Sequence, residues 1–151
     1  MRGHLVRFGV LLATIGLAAC DQRGRQFFSS LLSNAESAGL SPDWAAVAFT
    51  IAITVDDQRV PILRGYPAAA ARGQRLTLLP GSWRSVLPAP VAHNFEQRLT
   101  ALPGIGTEFS ASKIPLPVDD RFDEPHARLI VDAIVELVKT LEGMPRPDHG
   151  A

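Results

Sequence analysis

Phe49–Val55 reads FTIAITV, Asp56-Asp57-Gln58 follows, and Arg59–Tyr66 reads RVPILRGY. The first run is rich in β-branched residues and predicts a strand. Two acidic residues and a glutamine predict a turn. The second run predicts a returning strand, in which Pro61 has no N–H to give to a ladder and is expected at an edge or a bulge. A β-hairpin is therefore expected between roughly 48 and 66.

The flanking segments are helical in pattern. In 26–39, Phe27, Phe28, Leu31, Leu32 and Ala35 recur at the spacing of an amphipathic helix, and Gly39 is a plausible stop. Its apolar side can pack on the core or lie on a membrane surface. Ser41-Pro42-Asp43 has the signature of a helix start and predicts a short helix. The alanine run within 67–73 predicts a turn or two of helix, and 75–79 (RLTLL) a short strand. Pro80-Gly81 predicts a turn and 83–87 an extended segment.

Val91, Phe95, Leu99 and Leu102 predict a helix over 90–102, closed by Pro103-Gly104. The segment 113–118 alternates around two prolines and predicts a short edge strand. The clearest element is a helix over 124–142. Leu129, Ala133, Leu137 and Leu141, with Ile130, Ile134 and Val138, form its expected apolar stripe. Arg128, Asp132, Glu136 and Lys139 form the polar side, and Asp123 is the expected N-cap. Helices, then strands, then helices make an α+β domain, with a small, largely antiparallel sheet covered by helices and a long C-terminal amphipathic helix.

The chain has 151 residues, 46% of them hydrophobic and 20% charged, which is a globular composition and suits one domain. Fifteen basic residues balance fifteen acidic ones, which argues against a nucleic-acid binder that works by bulk charge. One cysteine excludes an intramolecular disulfide and a cysteine-based zinc cluster.

That cysteine closes the opening segment, MRGHLVRFGVLLATIGLAAC. Arg2 and Arg7 make a positive n-region, and 8–19 is an uncharged, mostly apolar run. It is too short for a permanent span, which needs about 20 residues, and it has the length of a secretory h-region. Leu17-Ala18-Ala19-Cys20 resembles the bacterial lipobox, where diacylglyceryl transfer and signal peptidase II cleavage occur. A thiol suits this role because it can be alkylated to a lipid-bearing thioether.

The resemblance implies a bacterial lipoprotein with 1–19 as signal peptide, Leu17, Ala18 and Ala19 as peptidase recognition residues, and Cys20 as the acylated mature N-terminus. It implies a tether over 20–25, a single domain over 26–143 and a disordered tail over 144–151. Asp21 after the cysteine implies retention at the inner membrane, on its periplasmic face. Arg23 and Arg25 would either lie near anionic headgroups, where each basic residue contributes about 1 kcal/mol, or stand solvated in the tether. The partners implied are the membrane and another envelope component.

Nothing assembles into a catalytic, cofactor-binding or metal site. Asp119, Asp120, Asp123 and Glu124 are dense in carboxylates, but their spacing lacks the glycine of an EF-hand loop and reads as a solvated turn. His93, His126 and His149 are scattered. Asp123-x-x-His126 is similar to the Asp-x-x-His pair of SGNH-type esterases, yet no Gly-Asp-Ser block is present, and His126 is expected on the surface. Leu102-Pro103-Gly104-Ile105-Gly106 is similar to the hairpin of helix-hairpin-helix DNA-binding motifs. Its downstream residues fall one place late, at Ala111 and Ile114, and Pro115 cuts the second helix short.

A competing resemblance covers the C-terminal part. Leu116-Pro117-Val118-Asp119-x-Arg121-Phe122-Asp123, followed by an amphipathic helix, is similar to the C-terminal end of the DegT/DnrJ/EryC1 sugar aminotransferases. It implies a partial, inactive copy, with 10–19 as a core helix. Lys113 and Lys139 are the only lysines, and neither stands where that family's pyridoxal phosphate lysine would be, so no catalytic residue carries over.

Overall fold

The computed structural model describes residues 22–45, 48–67, 74–103, 105, 111–119 and 121–144. The elements run α1 (Gln22–Ser37), β1 (Asp43–Ala45), β2 (Ala48–Val55), β3 (Gln58–Tyr66), β4 (Arg75–Leu78), α2 (Pro80–Val86), α3 (Ala89–Thr100), β5 (Ile114–Pro117) and α4 (Glu124–Glu142). The five strands form one antiparallel sheet whose spatial order is the chain order. The fold is α+β.

The hairpin is the centre of that sheet. Val55 pairs with Gln58, which leaves Asp56 and Asp57 as a two-residue turn with φ of 50° and 65°. Both positive values match the turn whose twist suits paired strands, and aspartate tolerates them better than most residues. Pro61 does sit at an irregularity. Ile51 pairs with Leu63 and Ala52 with Pro61, so Ile62 is an extra residue in β3. β4 pairs with β3 only from Leu63 onward, and the N–H of Leu79 donates to the Ile62 carbonyl at 2.9 Å. Pro61 therefore lies where β3 has a partner on one side alone, and its missing donor costs no ladder bond.

One sheet face is apolar. Phe49, Ile51, Ile53, Val60, Leu63, Leu76, Leu78 and Leu116 are all buried in a single core. Phe28 of α1 meets Phe49 edge-on, with ring centroids 5.9 Å apart. Phe49 pairs across the hairpin with Gly65, and a Cβ on Gly65 would collide with the Phe49 ring. Glycine here lets an aromatic ring lie flat over its neighbour strand. The opposite face carries Thr50, Ala52, Arg64, Tyr66 and Arg75, all partly exposed.

α1 buries Phe27, Phe28, Leu31, Leu32 and Ala35, so its apolar side belongs to the protein core. It ends as expected at Gly39, with φ of 82°. Leu40 N–H donates to the Ala35 carbonyl at 2.8 Å and Gly39 N–H to the Glu36 carbonyl at 3.0 Å. These are the paired bonds of a Schellman stop. α1 begins at Gln22, earlier than expected, so residues placed in the tether belong to the helix. In its first turns Gly24 is buried against the end of the Gln74 side chain, which a Cβ would have to displace.

Three local expectations are corrected. Ser41-Pro42-Asp43 opens β1, not a helix: Asp43–Ala45 pairs with Ala48–Thr50, and Trp44 packs on Phe49 at 5.1 Å. Pro80-Gly81 and 83–86 lie in the helix α2 with proline in its first turn, not in a turn and an extended segment, and only Leu87 after it is extended. Tertiary burial of Trp83 against Phe95, at 5.0 Å, decides that conformation.

On α4, Leu129 is 46% exposed while Ala127 and Val131 are buried. The true stripe is rotated toward Ile130, Ile134 and Leu137. The predicted helix over 90–102 appears as α3, and the edge strand as β5, whose ladder partner is β4. The alanine run lies mostly outside the described residues.

Gly65→Ala is expected to cost about 1–3 kcal/mol by displacing the Phe49 ring. Urea unfolding followed at 25 °C checks this, and an unchanged midpoint would contradict the assigned contact.

Candidate functional site

The residues assigned from the sequence divide sharply. Leu17, Ala18, Ala19 and Cys20 lie outside the described residues, as do Gly104, Gly106, Asp120 and His149. His93 is exposed on α3, while Asp119, Asp123 and His126 take structural positions.

Asp123 caps α4. Its Oδ1 accepts the backbone N–H of His126 at 2.8 Å, with φ −114° and ψ −177° at the cap. A carboxylate there also meets the positive end of the helix dipole. The imidazole of His126 goes elsewhere. It is 3% exposed, contrary to the surface position expected from sequence. Its ring lies 4.7 Å from Phe122 and 6.2 Å from Phe27, and Nε2 bonds to the Pro103 carbonyl.

A carbonyl can only accept, so Nε2 carries the proton. Nδ1 is buried, with no hydrogen-bond partner among the described residues. The esterase-like pair is therefore a helix cap and a packing residue that pins the 102–105 turn onto α4. The apolar period itself held this signal, because His126 stands four residues before Ile130 on the buried stripe.

The acidic group is also accounted for. Arg121 donates from Nε to Asp119 Oδ1 at 3.1 Å and from Nη2 to Oδ2 at 2.7 Å, and its backbone N–H donates to Oδ1 at 3.0 Å. The side-chain bonds first, then the backbone bond, hold the Asp119 carboxyl at about 2, below its ordinary 3.8. No group of three or more His, Cys, Asp or Glu side chains among the described residues is arranged to hold a metal ion. Downstream of the 102–105 turn, Ile114–Pro117 is a strand. The second helix of a helix-hairpin-helix motif is therefore not formed there.

One buried charge remains. Glu96 of α3 is 8% exposed and pairs with the Arg84 guanidinium of α2. Arg84 is far more exposed, so the pair joins two helices at the edge of the core. A carboxylate at that depth needs such a partner, since an unpaired buried charge is costly.

Two surface features lie outside this accounting. A groove of about 550 Å³ runs between α3 and α4, floored by Val91, Phe95, Ala133 and Leu137 and flanked by Arg98 and Glu136. The second is the partly exposed sheet face. On it Arg75 stacks over the Tyr66 ring at 4.1 Å, and Arg64 stands opposite Thr77.

No family model, no curated protein and no solved structure matches the chain.

Two measurements check the structural roles. Asp123→Ala is expected to lower stability by about 1 kcal/mol and Asp123→Asn by no more than a few tenths, because asparagine caps as well as aspartate. Equal losses in urea unfolding would contradict the cap. By NMR titration the Asp119 carboxyl is expected near 2, moving up toward 3.8 in Arg121→Ala. The folded-state value is the depressed one, so what this pair contributes to stability is present above about pH 4 and fades as pH falls through 2.

Proposed function

We propose that the chain is a lipid-anchored bacterial envelope protein, held to the membrane through Cys20. Its α+β domain then binds or scaffolds another envelope component. The observation that carries this reading is Leu17-Ala18-Ala19-Cys20, placed directly after an uncharged apolar run and a positive n-region. Two or three acyl chains make a stable anchor where one makes only a marginal one. No helix among the described residues is long and apolar enough to cross a membrane, so the lipid would be the anchoring device for that part of the chain.

The role of the domain as a binder rests on how its polar groups are used. Asp123, His126, Asp119 and Glu96 are engaged in capping, packing and ion pairing. Open on the described surface are the α3–α4 groove, the arginine-bearing sheet face and a shallower groove along α1 bordered by Arg25, Ser30, Asn34 and Glu124.

A second reading is a partial, inactive copy of a DegT/DnrJ/EryC1-like C-terminal segment. It is favoured by the edge strand, turn and helix over 114–142.

Intact-mass analysis of the chain from a bacterial host separates the two. The expected product begins at Cys20 and carries a diacylglyceryl thioether, and Cys20→Ser abolishes both the cleavage and the added mass. A wild-type product that begins at Met1 without acyl mass would overturn the anchor and leave the second reading.

A further inference from the structure

We propose that Pro115 and Pro117 seal the β5 edge of the sheet against an added strand, so that copies of the chain do not join edge to edge through β5. The seal follows from the ladder and stands without the lipid anchor. The anchor reading supplies the circumstance in which a seal matters, because an anchor confines copies to one surface and raises their effective concentration.

The first argument is direction. Val118 N–H donates to the Gln74 carbonyl at 3.1 Å, so residue 118 turns its backbone groups toward β4. Along an antiparallel strand this direction alternates residue by residue. Leu116 and Ile114, opposite Leu76 and Leu78, therefore also face β4. Pro115 and Pro117 face outward, and both are exposed.

The second argument is chemistry. β5 is the last strand of the sheet among the described residues. The outer row of such a strand normally offers both N–H donors and carbonyl acceptors to any chain that lies along it. In β5 each outward residue is a proline, so the row holds carbonyls and no N–H. An added strand would find acceptors for its own N–H groups, while its carbonyls would be desolvated against proline rings and left unpaired.

The third argument is consistency across the sheet. The described strands contain three prolines, Pro61, Pro115 and Pro117, and each stands where no ladder bond uses an N–H. Pro61 blunts the stretch of β3 that β4 leaves uncovered. Ile51–Val55 of β2 runs beyond β1 without a proline, but Asp43 already stands beside Thr50 and closes one end of that stretch.

The test uses the full acylated chain on phosphatidylcholine vesicles at low and high surface density. A nitroxide is placed on Lys113→Cys, exposed at the entry to β5. Two β5 strands paired antiparallel through positions 115 and 117 hold their labels six residues apart, about 20 Å along the strand. Wild type is expected to show no such distance at either density. Pro115→Thr/Pro117→Thr restores two outward N–H groups, and the distance is expected to appear and to strengthen several-fold with density. The variant is expected to keep the circular dichroism of wild type, since the replaced positions make no ladder bond.

A folded threonine variant without the short distance overturns the seal, and so does wild-type protein that pairs through β5. Loss of the fold in the double variant and in both single variants overturns the outward placement itself. Protein without acyl mass that fails to float overturns the anchor reading alone. The seal is then read from the same distance on the Cys20→Ser chain in solution, with concentration in place of surface density.

Discussion

Two adjacent phenylalanines hold the three parts of this fold together. Consecutive helical residues point about 100° apart. Phe28 therefore faces down onto Phe49 in the sheet, while Phe27 faces sideways onto Phe122 at the entrance to α4. Each ring is fully buried, and the two also meet each other edge-on at 5.2 Å. Full burial of such a side chain is worth about 1.5–3 kcal/mol, and an edge-to-face partner adds about 0.5–1.5 kcal/mol. The contacts join residues from the beginning, middle and end of the chain. They dictate local choices elsewhere: glycine at 65 so that Phe49 can lie over the sheet, and a histidine at 126 whose ring closes the cluster.

The elements legible in the sequence are those whose period is long enough to be read. FTIAITV alternates a large apolar face with a smaller one, and α4 repeats its apolar positions over five turns. The Asp56-Asp57 turn follows from the hairpin, and Pro61 forecast an irregularity that the extra residue Ile62 supplies. The misread pieces are short. Three residues of β1 carry no period, and Ser41-Pro42-Asp43 suits a strand entry as well as a helix entry. α2 has seven residues, and burial of Trp83 against Phe95 of the following helix, not propensity, sets its conformation. The rotation of α4 was hidden for a related reason. Its apolar residues span more than half the helix, and only the neighbouring α1 and α3 decide that Val131 is covered and Leu129 is not.

For the candidate site the division is different. The residues with the most suggestive chemistry, Asp123 and His126, are spent on holding the start of α4. Their spacing of three is what a cap requires, since the side chain at the N-cap reaches the N–H three residues on. The same spacing serves catalytic pairs in other folds, so spacing alone could not separate the two uses. Burial does: an imidazole 3% exposed between two phenylalanines, bonded to a backbone carbonyl, has no open side from which to meet a substrate. Glu96 carries no signal in the sequence, because a lone glutamate on a helix normally faces water. Only the reach of Arg84 from the preceding helix makes its buried position tolerable.

The start of α1 is where fold and proposed function meet. Gly24 has no side chain, so the first turns of α1 lie against Gln74 and the helix closes the core. A Cβ at position 24 would have to displace the end of the Gln74 side chain. That contact lies beside the strand end that carries Arg75 and Tyr66.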